Sequence, residues 1–223
     1  MNTIPFLSNT PDGMHCFQAA LGMALGHFEG VMRPMSELIA LSQKLPGKWT
    51  WPTATLLWLL ENGFEICLME EFDYQSFGKT GKKYLVKRYG PEVADAQEAH
   101  SDLAREQALA LEFVGRAKKA LQFKVPTLKD LGRLLDQGYI IICNVNACSL
   151  YGQAGYSGHF VVPLFVAPTH VLLHDPGLPP KPSIRISTPF FEKGCGYPTA
   201  SEKNLLAVRK RQARDPSTRP AKA

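Results

Sequence analysis

No apolar run in this chain approaches the roughly 18 residues needed to cross a bilayer. The most apolar stretch, residues 160–173, is broken by Pro163 and Pro168. Met1 to Ser8 lacks the basic start and long apolar core of a secretory signal. These absences predict a cytoplasmic protein with no membrane span. Cysteine is sparse and odd in number, five in 223 residues, which argues against a disulfide framework and fits a reducing compartment. Cys143 and Cys148 have a C-x4-C spacing, but no second Cys/His pair accompanies them, and structural zinc takes four ligands in tight clusters. No phosphate-binding glycine loop is present. Neither a metal nor a cofactor is expected.

A basic excess is also missing where it would matter. The formal net charge is +5, but Arg209, Lys210, Arg211, Arg214, Arg219 and Lys222 against the single acid Asp215 account for all of it. Residues 1–208 are then neutral, so the folded part gives no support to nucleic-acid binding. The segment 209–223 is rich in Pro, Arg and Lys and poor in apolar residues, and it is predicted to be a disordered basic tail. Residues 1–208 are predicted to form one domain. Hydrophobic residues make up 45% of the chain, enough for a substantial core.

What the chain does have is helical periodicity first and β-branched runs last. Phe17, Leu21, Ala24, Leu25 and Phe28 fall at the three-and-four spacing of a buried helix face. Asp12 and Gly13 suit a turn leading into that helix. A second short helix opens at Pro34 and Ser36. Thr50 is expected to cap a third, with Pro52 near its first turn. Phe64 to Met69 reads as a strand. Residues 70–125 are charged and mostly helical in pattern, with Asp102 to Leu121 the clearest helix, and are expected to form a helical insertion or lid. A helix from Pro126-Thr127 to Gly138 follows, then the run from Tyr139 to Val145 typical of a central strand. Strands are expected near 159–166, 169–174 and 205–208. Helices followed by an antiparallel sheet is an α+β arrangement.

Two distant segments carry chemistry. Cys16 lies in Asp12-Gly13-Met14-His15-Cys16-Phe17-Gln18, at the start of the first helix. Unpaired N–H groups there favour a thiolate and leave the Cys16 N–H free for an oxyanion. His159 lies in Gly155-Tyr156-Ser157-Gly158-His159-Phe160-Val161-Val162, and Asp175 follows in His174-Asp175-Pro176-Gly177. A thiolate needs a base, and the base needs a group to fix its tautomer. Each residue also has an ordinary explanation: a buried core thiol, a structural histidine, and an Asp-Pro-Gly turn. His174 should point away from Asp175 if the strand continues. His15 is expected to be a helix-start residue. His27, His100 and His170 have no convergent partners. Glu98, His100 and Asp102 have the spacing of a solvated helix face. Trp58 is expected in the core, while Trp49 and Trp51 lie near a loop.

This pattern resembles the peptidase C39-like group of papain-fold cysteine peptidases. Its members carry a Cys at the start of the first helix, a Gly-His before an apolar strand, and an Asp-Pro after the next strand. Cys16, His159 and Asp175 match those positions, and His159 follows Cys16 by 143 residues, within the roughly 130–150 spacing of papain-type enzymes. The resemblance spans about residues 8–177, mainly through its two ends. It implies a papain-like fold and peptidase action on peptides, often with a double-glycine leader, although some members have lost catalysis. Two positions depart from the group: Phe17 stands where Gly usually follows the Cys, and Thr10 stands where a Gln usually supplies an oxyanion donor. Asn9, one residue earlier, carries an amide that can substitute. The expected function is thiol-dependent hydrolysis or transfer of a peptide or related amide acyl group. The alternatives are an inactive peptide-binding module and an acyltransferase resembling glutathione-processing enzymes.

Overall fold

The computed structural model of the protein describes residues 3–117 and 119–211. Three helices come first: α1 (Cys16–Glu29), α2 (Met35–Leu41) and α3 (Thr53–Glu61). Strand β1 (Phe64–Glu70) leads to α4 (Tyr74–Thr80), α5 (Lys82–Tyr89), α6 (Pro91–His100) and α7 (Leu103–Arg116). Then follow β2 (Leu121–Phe123), α8 (Leu128–Asp136), β3 (Ile140–Asn146) and the short α9 (Ala147–Leu150). The chain continues through β4 (Gly158–Val166), β5 (His170–Asp175), β6 (Lys181–Ser187), α10 (Thr188–Cys195), a 3-10 turn and β7 (Leu205–Lys210). Helices at the start and most strands at the end give the expected α+β arrangement.

The seven strands form one sheet in the order β2-β1-β7-β3-β4-β5-β6. Every pairing is antiparallel except β1 with β2, which is parallel. The sheet is buried on both faces because apolar residues fill both sides of its central strands. Ile66, Leu68, Ile140, Ile142, Leu206 and Val208 face a core shared with α1–α7. Cys67, Met69, Ile141, Cys143, Leu205 and Ala207 face a second core closed by α8, α9 and α10.

Several expectations need correction. The boundary at 208 falls inside β7: Lys210 pairs with Phe64 and Arg209 with Glu65 across the sheet. The Arg209 guanidinium is 2.8 Å from Glu65 Oε2 and lies over the Tyr139 ring, and the Arg211 N–H donates to Gly63 O. The basic residues at 209–211 are therefore held by the sheet, and the rest of the expected tail, 212–223, lies outside the described residues. Thr50 does not cap α3; Pro52 occupies that position, and the Thr50 hydroxyl accepts from Gln18 instead. The helix expected to reach Leu121 stops at Arg116, because Leu121 to Phe123 pairs with the end of β1. Strand β6 and helix α10 had no expectation; β6 is mostly exposed and lacks a clean apolar alternation.

Helix α1 reaches the core through small residues. Ala19, Ala20, Gly22, Ala24 and Gly26 are all buried. A Cβ added at Gly22 would meet Leu38 Cδ1 and Leu7 Cδ2, each at 2.7 Å. That close approach fixes the height of α1 against α2 and the N-terminal segment. Replacing Gly22 with Val should therefore overpack the contact and cost about 1–3 kcal/mol, a drop of several degrees in Tm measurable by thermal unfolding.

Candidate active site

Cys16 is positioned by the loop ahead of α1. The Gly13 N–H donates to Thr10 O at 2.9 Å, and Gly13 has φ of 74°, a left-handed conformation that suits glycine. Asp12 Oδ1 accepts from Met14 N at 3.0 Å and from the Thr10 hydroxyl. These bonds hold the Asp12 carboxyl down to about 2. Asn9 Oδ1 accepts from Thr10 N at 2.9 Å and His15 N at 2.8 Å, while Asn9 Nδ2 donates to Gly13 O at 3.0 Å. Asn9 is thus brought to the start of α1, but it has a loop-bracing task that the sequence did not disclose. His15 is the residue before the helix, as expected, and its ring bonds to the Thr10 hydroxyl at 2.7 Å. The first i to i−4 bond of α1 runs from Ala19 N to His15 O. The amides of residues 16–18 therefore have no acceptor inside the helix.

His159 and Asp175 come from the antiparallel pair β4–β5. His159 Nε2 lies 2.6 Å from Asp175 Oδ1, and both residues are buried. Nε2 being taken by Asp175, Nδ1 is the ring nitrogen left for Cys16, which lies near enough to act on the ring. Burial alone would lower the His159 pKa. The Asp175 hydrogen bond, the nearby Cys16 thiol and the charges of both groups outweigh it and raise the ring to about 9. Burial would raise the Asp175 carboxyl, but the His159 bond and charge, the Tyr151 hydroxyl and the Gly177 N–H hold it below its ordinary value. The structure thus brings Cys16, His159 and Asp175 together. His174 turns away, its Nε2 to Ile4 O at 3.2 Å and its Nδ1 accepting from Ser183 N at 3.0 Å.

Sequence reasoning missed three residues here. The Tyr151 hydroxyl bonds to Asp175 Oδ2, and Lys181 Nζ sits 3.5 Å over the Tyr151 ring. Gly177 donates its N–H to Asp175 Oδ1 at 2.7 Å. A Cβ at Gly177 would stand 2.8 Å from that same oxygen and 3.3 Å from His159 Nε2. The Asp-Pro-Gly turn signal hid this close approach. The two halves of the site are joined by one backbone bond, Asn9 N to Pro176 O at 2.8 Å.

Cys16 opens onto a cavity of about 510 Å³. Its floor is the sheet, where Leu68 and Ile142 are followed two positions on by Glu70 and Asn144, and Leu206 is preceded two positions earlier, just ahead of β7, by Asn204. Its walls include Trp49, Trp51, Phe72, Tyr156 and Phe160. Trp51 stacks on Phe77 and donates to Ser101 Oγ at 3.0 Å, and Trp49 stacks on His100. The region 70–125 therefore supports one wall of the cavity beside the thiol. Trp58 packs on Phe64 away from it. Cys143 and Cys195 are buried against each other. Among the described residues no group of three His, Cys, Asp or Glu side chains is placed to hold a metal ion, and no helix is long and apolar enough to cross a membrane.

No family model matches the sequence, and no curated protein matches it. Among solved structures the chain is similar to the peptidase domain of Streptococcus ComA, a bifunctional ABC transporter involved in a quorum-sensing pathway. The match covers 94% of this chain and 100% of that domain, at 13% identity and a TM-score of 0.47.

Two outcomes follow from the pair geometry. Because His159 is raised from 6.5 to about 9, its contribution to stability is complete below pH 6.5 and is lost as pH climbs through 9. Because Asp175 is lowered from 3.8, its contribution is present above pH 3.8 and is lost below that. The Tm difference between wild type and His159→Gln should therefore be largest between about pH 4 and 6.5 and shrink by pH 9.5; a difference constant with pH would contradict the pairing. Gly177→Ala should displace the His159–Asp175 contact and reduce Cys16 alkylation near neutral pH, with a smaller effect on Tm than Gly22→Val. Mass spectrometry after limited iodoacetamide treatment reads the first effect, and thermal unfolding reads the second.

Proposed function

We propose that this chain is a thiol-dependent hydrolase or acyltransferase that acts on a peptide or related amide. Cys16 attacks the carbonyl carbon as a thiolate, with the proton held on His159. The tetrahedral oxyanion is met by the Cys16 backbone N–H and by the Asn9 Nδ2 hydrogen not spent on Gly13. Collapse of that intermediate breaks the C–N bond, and the His159 imidazolium gives its proton to the departing amine. The resulting thioester is then attacked by water, or by an acceptor amine or thiol, from which His159 removes the proton. Asp175 keeps the ring oriented and stabilises its charged form.

The observation that supports this most directly is the His159 ring bonded to Asp175 at Nε2 with Cys16 close enough to raise the ring's pKa. A second reading, a peptide-binding module that uses the same cavity without turnover, is favoured by one feature: Asn9 Nδ2 is already bonded to Gly13 O.

If the three residues act as one unit, iodoacetamide near neutral pH should label Cys16 ahead of Cys67, Cys143, Cys148 and Cys195. His159→Ala should slow that labelling by about tenfold or more, because the thiolate loses its imidazolium partner. Asp175→Asn should slow it less and keep the fold. Superimposable pH profiles for the wild type and both variants would refute the triad. Preserved triad dependence with no turnover of any amide would favour the binding module.

A further inference from the structure

We propose that the cavity beside Cys16 selects substrates by a cationic side chain, an arginine or lysine on the acyl side of the scissile bond, bound by the Glu70 carboxylate between aromatic walls. This rests on Cys16 being the nucleophile, as proposed above.

The floor of the cavity breaks the rule that governs the rest of the sheet. Inward positions on β1, β3 and β7 are apolar along the core, as at Leu68, Ile142 and Leu206. At the next inward step all three become polar: Glu70, Asn144 and Asn204. Polar residues at core-facing positions cost stability unless they are partnered, and here they face an open cavity instead of packed side chains. Glu70 is the critical one. Its Oε1 accepts from the Tyr74 hydroxyl at 2.7 Å, and among the described residues no ammonium or guanidinium forms an ion pair with it. Arg88, whose charge acts on Glu70, is committed to Glu202 at 3.1 Å. Burial pushes the Glu70 carboxyl up to about 7 despite the Tyr74 bond. A bound cation restores its ionised form, because an opposite charge favours it.

The walls suit the same ligand. The faces of Trp49, Trp51 and Phe72 carry the negative end of a ring quadrupole and attract a cation. Trp51 is held rigid by Phe77 and Ser101, so little ordering is needed on binding. Lys48, at the cavity edge, is turned to Ala99 O at 2.7 Å. Asn204 Oδ1 is used by Asn144 N at 2.9 Å, which leaves the Asn144 side-chain amide for a fork of N–H donors. A guanidinium offers five such donors in one plane.

The test uses Nα-acetyl chloromethyl ketones of arginine, lysine, citrulline and norleucine, which share one reactive group. Cys16 modification of the intact protein is followed by mass spectrometry. The arginyl and lysyl compounds should react about tenfold faster or more than the citrullinyl and norleucyl ones, the discrimination of a charged hydrogen bond. Glu70→Gln should bring the arginyl rate down toward the citrullinyl rate. In the wild type, n-butylguanidinium should slow arginyl labelling, a readout that does not depend on the variant folding. Equal rates across the four compounds, or fastest reaction with norleucine, overturn the proposal. If iodoacetamide labelling of Cys16 depends on His159 while the four ketones are not distinguished, the cavity assignment alone fails. If iodoacetamide labelling ignores His159, the nucleophile assignment fails first.

Discussion

A buried imidazole bonded at 2.6 Å to a buried carboxylate is the constraint on which this site depends. Two charges taken from water are costly unless geometry and additional hydrogen bonds compensate. The surroundings of Asp175 supply that compensation: the Tyr151 hydroxyl on one oxygen and the Gly177 N–H on the other. Lys181 in turn lies over the Tyr151 ring. The pair is therefore held from β5, from the loop after it and from the turn after α9, and none of those elements tolerates an independent shift.

The thiol is positioned by a different principle. The alanines and glycines of α1 let it approach the sheet closely, and Phe17 meets Phe160 edge-to-face at 4.9 Å. Phe17 stands where the group this chain resembles usually has Gly, and its ring lines the cavity beside Cys16. Gln18, the next residue, reaches Ser42 and Thr50 and so ties the helix start to the loop carrying Trp49 and Trp51.

Cys16, His159 and Asp175 were legible because each sits in a short segment whose residue types are unusual together, and because periodicity placed one on a helix start and two on strand ends. The seven-strand sheet was legible in its apolar strands and not in β2 and β6, which are short or exposed and leave little alternation to read. Thr50 was misread because a Thr before a Pro looks like a cap, whereas its hydroxyl is claimed by Gln18 from another helix. Arg209 and Lys210 looked like tail because composition is blind to a Glu65 waiting across a strand. Gly177, Tyr151 and Glu70 were illegible for a common reason: their significance lies in contacts with residues remote in sequence, or in a cavity that only the folded sheet creates.

Strand β7 pairs with β1 on one side and β3 on the other, yet it is the last of the seven in chain order. During synthesis β1 emerges more than a hundred residues before the strand that joins it to β3. The two portions carrying thiol and imidazole thus lack a continuous sheet between them until Leu205–Lys210 has left the ribosome. Non-local pairings of this kind close slowly. That order of events delays the meeting of Cys16 with His159 until nearly all of the sheet has been made.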